Sequence, residues 1–263
     1  MMWYLQLYIK FAKQHLKVMM EYRADFMIGV LANLFTQGTA IIFINILFKH
    51  VNSIHGWGYY EVLFIYGIAL SGKALENIFF DNLWNIGWRY VKPGDFDRIL
   101  LRPISPLFHI VADRLHKDGF GSLIVASIVL FTATNHLELE WSGANLLLLI
   151  LFVVSSGLIY ASVNLFFGSL SFWMVDSLPI MEAVNNLSEF VRYPMTIYKK
   201  GIQLVLTFII PYGFTAFYPA AYFIDQSGFS YYSYLTPLVA VACCLIAYSF
   251  WNRGLKSFTS TGS

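Results

Sequence analysis

Long apolar runs separated by short polar connections fill most of the chain, and within each run the apolar residues are continuous. A hydrocarbon core about 30 Å thick takes about 20 helical residues to cross. Six stretches approach that length: Phe26–Phe48, Tyr60–Phe80, Phe120–Asn135, Asn145–Val175, Ile202–Ile224 and Tyr234–Trp251. The third is short and is read as starting a few residues earlier; the fourth is long enough to tilt or project past the bilayer. Barrel strands would alternate apolar and polar residues, and these runs do not. The pattern predicts an all-α membrane protein with six transmembrane helices.

The segment before the first run has a different period. Trp3, Leu7, Tyr8, Phe11, His15, Val18, Met19 and Tyr22 recur at helical spacing, and Gln6, Lys10, Lys13, Gln14, Lys17 and Glu21 fall on the other face. That is the pattern of a helix lying in the membrane surface. The plainer alternative is a basic flank that orients the first span. The apolar stretch is too interrupted for a cleavable signal, and no small-residue cleavage site follows. Residues 1–25 are therefore expected to form an interfacial helix, and 26–263 the six-helix membrane domain.

Composition agrees with lipid as the solvent. The 263 residues are 58% hydrophobic and 12% charged, against about 25% charged in soluble domains. A net charge of +2 gives no reason to expect nucleic acid. Of the seventeen Lys and Arg residues, fifteen fall in the N-terminal segment, the loop after the second run, the loop after the fourth, and the tail. Lys49 and Lys73 are the others. Lysine and arginine concentrate on the cytoplasmic side, so both termini are expected there. Cys243 and Cys244 adjoin each other in an apolar run and read as packed helix residues. No Cys/His cluster has metal-ligand spacing, so no metal site is expected; His50, His55 and His136 are scattered in outer loops.

Gly67 to Lys73 reads G-I-A-L-S-G-K, the beginning of a phosphate-cradling loop. Such a loop needs a strand before it and free backbone N–H groups. Here the segment lies within an apolar helix, and Ala74 stands where magnesium would need a hydroxyl. The match is chance, and no catalytic residue is assigned. Lys73 pairs with Glu76 at helical spacing. Lys73, Asn77, Asp81 and Asn85 step by four along one stripe. Intramembrane charges tend to face protein or water, so Lys73, Glu76, Asn77 and Asp81 line either a translocation path or a helix seam. The alternative is an internal pair whose inner-end residues snorkel.

The stretch from Arg89 to Gly121 is long for a connection here. Pro93 and Gly94 break the preceding helix, Asp95 and Asp97 suit a helix start, and Pro103 and Pro106 stop it. Phe96, Ile99, Leu100 and Leu101 make this short helix strongly apolar, as a docking knob or another interfacial helix would be. A second segment, Asp176 to Gly201, places Ile180, Val184, Leu187 and Val191 at helical spacing and reads as a further cytoplasmic contact or an interfacial helix. The fifth run contains Pro211, Gly213 and Pro219, which mark a re-entrant or bent helix or kinks absorbed by packing.

The order of these elements, with G-D-F-D-R-I-L-L-R-P at Gly94 to Pro103, resembles the permease subunits of ABC-2 type exporters. It is closest to a branch carrying G-x-[FL]-D-x-x-L-L-R-P after the second span. The resemblance covers essentially the whole chain. It implies that the loop at about 89–119 holds a coupling helix for a separate ATPase, and it gives that role to Asp95, Phe96, Asp97, Arg98, Leu101 and Arg102. It implies two ATPase subunits, which carry ATP and magnesium, and a second permease, a different chain or else a second copy. This chain would then bind no cofactor and hydrolyse nothing itself. Membrane lipids would surround it in a bacterial inner or plasma membrane. The alternative of another class is an ion-coupled secondary transporter using Lys73, Glu76 and Asp81; a non-transporting assembly or sensor protein stands level with it, and a membrane-embedded enzyme has less in its favour. The C-terminal TSTGS is polar and reads as disordered.

Overall fold

The computed structural model describes residues 2–139, 141–174, 176–224 and 228–259. The expectation of disorder for TSTGS falls, beyond Thr259, outside the described residues. Among the described residues, twelve α-helices follow one another: α1 (Met2–Glu21), α2 (Arg23–His50), α3 (Tyr59–Phe80), α4 (Phe96–Leu100), α5 (Pro106–Ala112), α6 (Asp118–His136), α7 (Gly143–Gly168), α8 (Leu178–Ser188), α9 (Lys200–Leu204), α10 (Phe217–Ile224), α11 (Ser230–Ser233) and α12 (Thr236–Ser257). Tighter and wider turns prolong α3 to Val91 and α7 to Phe172. Five of these helices, with their extensions, are long and apolar enough to cross a membrane: 23–50, 59–91, 118–136, 143–172 and 236–257.

α3 is the central post. Val62 to Gly72 is buried without interruption. α2 and α6 run antiparallel to it: Tyr66 Oη donates to Gln37 Oε1 at 2.6 Å, and Tyr60 stacks on His136 at 4.0 Å. α7 runs parallel to α3 and approaches it closely at Gly72, where a Cβ would lie 1.9 Å from Ser156 Oγ. Gly67 faces Leu130 of α6 in the same way. The two glycines of the phosphate-loop-like stretch are thus helix contacts. α12 covers the far side of α7, with Phe250 stacked on Phe166 at 4.2 Å. Facing outward are Phe35, Ile42, Phe131, Leu147, Leu238 and Leu245, all exposed, an apolar belt suited to lipid.

The chain between α7 and α12 corrects the expected course. The loop 81–117 defines one face of the bundle, the loop face; the short α2–α3 and α6–α7 turns define the opposite, turn face. Residues 176–201 were expected to stay on the loop face. Instead Trp57 Nε1, in the α2–α3 turn, donates to Thr196 Oγ1 at 2.8 Å, and Val184, Val191 and Met195 are buried in the same core as Trp57. The segment 178–197 therefore climbs from the loop face to the turn face. The i, i+4, i+7 face at Ile180 to Val191 packs into the bundle; it does not wait for a partner.

Residues 200–224, expected as the fifth span, form no continuous helix. α9 leads into a π-helical turn at Val205–Ile209, the chain breaks at Ile210 and Pro211, and α10 begins at Phe217. At the break, Ser156 Oγ donates to Thr215 O at 2.7 Å. Ser156 lies 13 residues into α7, so the tip reaches about 20 Å below the turn face at 1.5 Å per residue. At the other end Phe223 lies against Trp141 in the α6–α7 turn. This is a re-entrant hairpin, which accounts for Pro211 and Gly213. Arg192 consequently sits inside the bundle and Lys199 and Lys200 on the turn face, so the cation bias narrows from fifteen to twelve.

Candidate functional site

Two places hold the residues with chemistry. The first is the loop face. Gly94 turns the chain with φ +82°, a left-handed conformation natural to glycine, and delivers Phe96 into an aromatic socket. Its ring meets Phe172 at the end of α7 (5.2 Å), Trp251 of α12 (6.0 Å) and Phe258 (5.0 Å). Phe96 is fully buried, and five residues on, Leu101 is 87% exposed. Arg98 pairs with Asp95 at 3.2 Å, both largely in solvent. Asp97 lies in the first turn of α4. Arg102 donates from Nη1 to His109 Nε2 at 2.8 Å. Arginine has no acceptor to offer, so His109 is neutral in this contact. Burial and the Arg102 charge hold the ring below its usual 6.5.

Of the six residues expected to contact an ATPase, then, five lie on the accessible loop and one is its anchor. α4 is both presented to solvent and fixed to the loop-face ends of α7 and α12. The role of His109 was not legible in the sequence: nothing in its spacing from Arg102 requires the chain to fold back between them.

The second place is a cavity of about 130 Å³ within the bundle, lined by polar groups from several elements. Asn33 and Gln37 come from α2, Lys73 and Asn77 from α3, Ser122 from α6, Tyr160 from α7, and Glu189 and Arg192 from the climbing segment. Lys73 Nζ lies 2.9 Å from Glu76 Oε2 and 5.2 Å from the centre of the Tyr160 ring. Glu76 is buried, and its other oxygen accepts from Asn164 Nδ2 at 2.7 Å. Arg192 pairs with Glu189 at 2.6 Å and lies over Tyr66 at 6.0 Å. Thr215 Oγ1, at the hairpin tip, donates to Tyr160 Oη at 3.0 Å, so the hairpin touches the cavity wall.

The four residues expected at a path or seam, Lys73, Glu76, Asn77 and Asp81, divide here. Lys73 and Asn77 face the cavity. Glu76 turns the other way, into the seam with α7. Asp81 sits where α3 ends, 3.9 Å from His116. One face of the helix thus lines the polar cavity and another forms the seam with α7. Asn33, Gln37, Glu189 and Arg192 were not anticipated, because a charged pair in a segment read as lying outside the membrane carries no signal.

Among the described residues, no three His, Cys, Asp or Glu gather as a metal site. His50 binds Ile46 O of its own helix. A family model described as "ABC-2 family transporter protein" matches residues 34–262, from the middle of α2 to the tail. No curated protein matches the chain.

Proposed function

Because the chain belongs to the ABC-2 transporter family, as a multi-pass membrane component and not a catalytic one, we propose that it is the permease of an ATP-driven exporter. Two ATPase subunits, which bind ATP and magnesium, dock on the loop face, and a second permease, a different chain or a second copy, completes the pathway. The loop face carries twelve of the seventeen cations, which favours a cytoplasmic position for it and for both termini. The membrane is then a bacterial inner or plasma membrane.

The observation that carries this reading is the double attachment of α4. A helix buried at Phe96 and exposed at Leu101 can receive a displacement from a soluble partner and pass it to α7 and α12. α7 lines the cavity through Tyr160 and meets the hairpin tip through Ser156. Closure of the ATPases on ATP would move α4, tilt α7 and α12 together, and shift the cavity and hairpin against the second permease. Lys73, Asn77, Glu189 and Arg192 then line the polar route, with Glu76 holding Lys73 in place.

The test is purification from native membranes in mild detergent, with an ATPase assay and vesicle transport on the complex. A soluble ATPase should co-purify, and Asp97→Lys with Arg102→Glu should abolish transport while the complex stays assembled. The ion-coupled alternative rests on the Lys73–Glu76 pair beside the cavity. It is favoured instead if transport runs on an ion gradient with no ATPase present.

A further inference from the structure

We propose that α1 is a sensor of anionic lipid headgroups, and that it sets the position of Arg102 through α5. α1 has three sectors, where a plain amphipathic helix has two. One packs on α5: His15 Nε2 lies 3.3 Å from Ala112 O, Phe11 meets the His109 ring at 6.4 Å, and Tyr4 meets Phe108 at 4.8 Å. The middle of that apolar face, at Leu7, Tyr8, Phe11 and His15, is therefore half-buried against protein, and Trp3, Val18 and Tyr22 stay exposed.

A second apolar edge, Leu5, Ile9, Leu16 and Met20, is exposed. At 3.6 residues per turn these four fall within about 60° of one another. Lys13, Lys17 and Lys10 occupy the next sector, on the side away from α5. Glu21 is the single carboxylate of α1. α1 is joined to α2, a membrane span, at Tyr22, so the apolar edge lies at the bilayer boundary with the lysines at headgroup level. An apolar edge bordered by lysines fits a surface with acyl chains below and negative charge above.

The consequence runs through contacts already described. α1 touches His109, and His109 accepts from Arg102, the last residue of the docking loop before Pro103. When α1 is seated on the leaflet, α5 is held and Arg102 is fixed. When α1 lifts, both are freed. This regulatory part rests on the ATP-driven reading; lipid binding by α1 does not.

The experiment uses the full chain in nanodiscs of phosphatidylcholine, alone or with phosphatidylglycerol, followed by hydrogen exchange at residues 2–21 and 106–112. A lysine near an anionic surface is worth a factor of about five, so three together give about a hundredfold. Both segments should gain protection with phosphatidylglycerol, by up to that factor at α1, and the triple variant Lys10→Gln, Lys13→Gln, Lys17→Gln should gain none. Phe11→Ala should keep the gain at α1 and lose it at α5. An equal gain in the triple variant overturns the sensor, and a gain at α5 that survives Phe11→Ala overturns the relay. In the assembled complex, phosphatidylglycerol should raise ATPase turnover several-fold, and the triple variant should stay at the phosphatidylcholine rate. Lipid-dependent exchange with no ATPase in any preparation would remove the ATP-driven reading and leave the lipid site standing.

Discussion

Replacing Glu76 by Gln isolates what the buried charge does. The new side chain has nearly the same shape, and its oxygen can still accept from Asn164 Nδ2, now 2.7 Å away. What disappears is the counter-ion of Lys73, at 2.9 Å. Removing one partner of a buried pair costs about 3–5 kcal/mol, and a lone lysine at the centre of a membrane helix costs about 2.5–3.5 kcal/mol. Lys73 keeps 25% of its side chain exposed toward the cavity, so about 3 kcal/mol is expected. At about 2–4 °C per kcal/mol for a chain of this size, Tm should fall by about 6–12 °C. Thermal unfolding of the purified protein in detergent, followed by tryptophan fluorescence, measures it. Adding Lys73→Met removes the orphaned charge and should recover all but about 1 kcal/mol, since an apolar replacement of a buried pair is often neutral. ATP-driven transport should persist in the double variant. A Glu76→Gln protein that melts like the wild type, or a double variant no more stable than the single, refutes the reasoning. ATP-dependent transport by the double variant, which lacks both charges, would count against the ion-coupled alternative.

Other outcomes follow from single contacts. Phe96→Ala empties the aromatic socket and should lower stability by about 3–5 kcal/mol in denaturant unfolding, with ATP hydrolysis no longer tied to transport. Lys199→Cys should react with a membrane-impermeant maleimide from outside sealed cells, in a variant whose Cys243 and Cys244 are both alanine; labelling only after permeabilisation would contradict the climb of 178–197. His109 titrates below its usual 6.5 because burial and Arg102 disfavour its charge. A depressed value means that the folded state binds fewer protons than the unfolded one in this window. Its contribution is complete above about pH 6.5 and is lost as pH falls through the depressed value. Coupled ATPase activity should drop on acidification below that point, and His109→Gln, which still accepts from Arg102, should flatten the fall.

Much of the fold was legible because lipid imposes a length. Four of the six expected spans, the first four, coincide with crossing helices to within a few residues at most ends, and so does the last. The remaining expectation failed for a physical reason. Helical spacing at Ile180 to Val191 shows an apolar face without showing what covers it, and Arg192, Lys199 and Lys200 made a cytoplasmic loop the natural reading. Inside the bundle Arg192 has Glu189 three residues before it, and around it the Tyr66 ring and a polar cavity built mostly by residues distant in sequence. The re-entrant hairpin was half legible: Pro211 and Gly213 marked the break, but its depth is set by Ser156 and Tyr160 of another helix. At the loop face, the motif marked the segment that we propose docks and could not tell its buried anchor, Phe96, from its exposed tip, Leu101.

The central claim is that α4 is where a separate ATPase meets this chain, and Leu101 is the place to ask. A photo-crosslinking residue at position 101, activated in native membranes, should join the chain to an ATPase subunit in a single band, and the same residue at lipid-facing Leu238 should not. Crosslinks from position 101 to lipid alone, in membranes where the complex is assembled, would contradict the account.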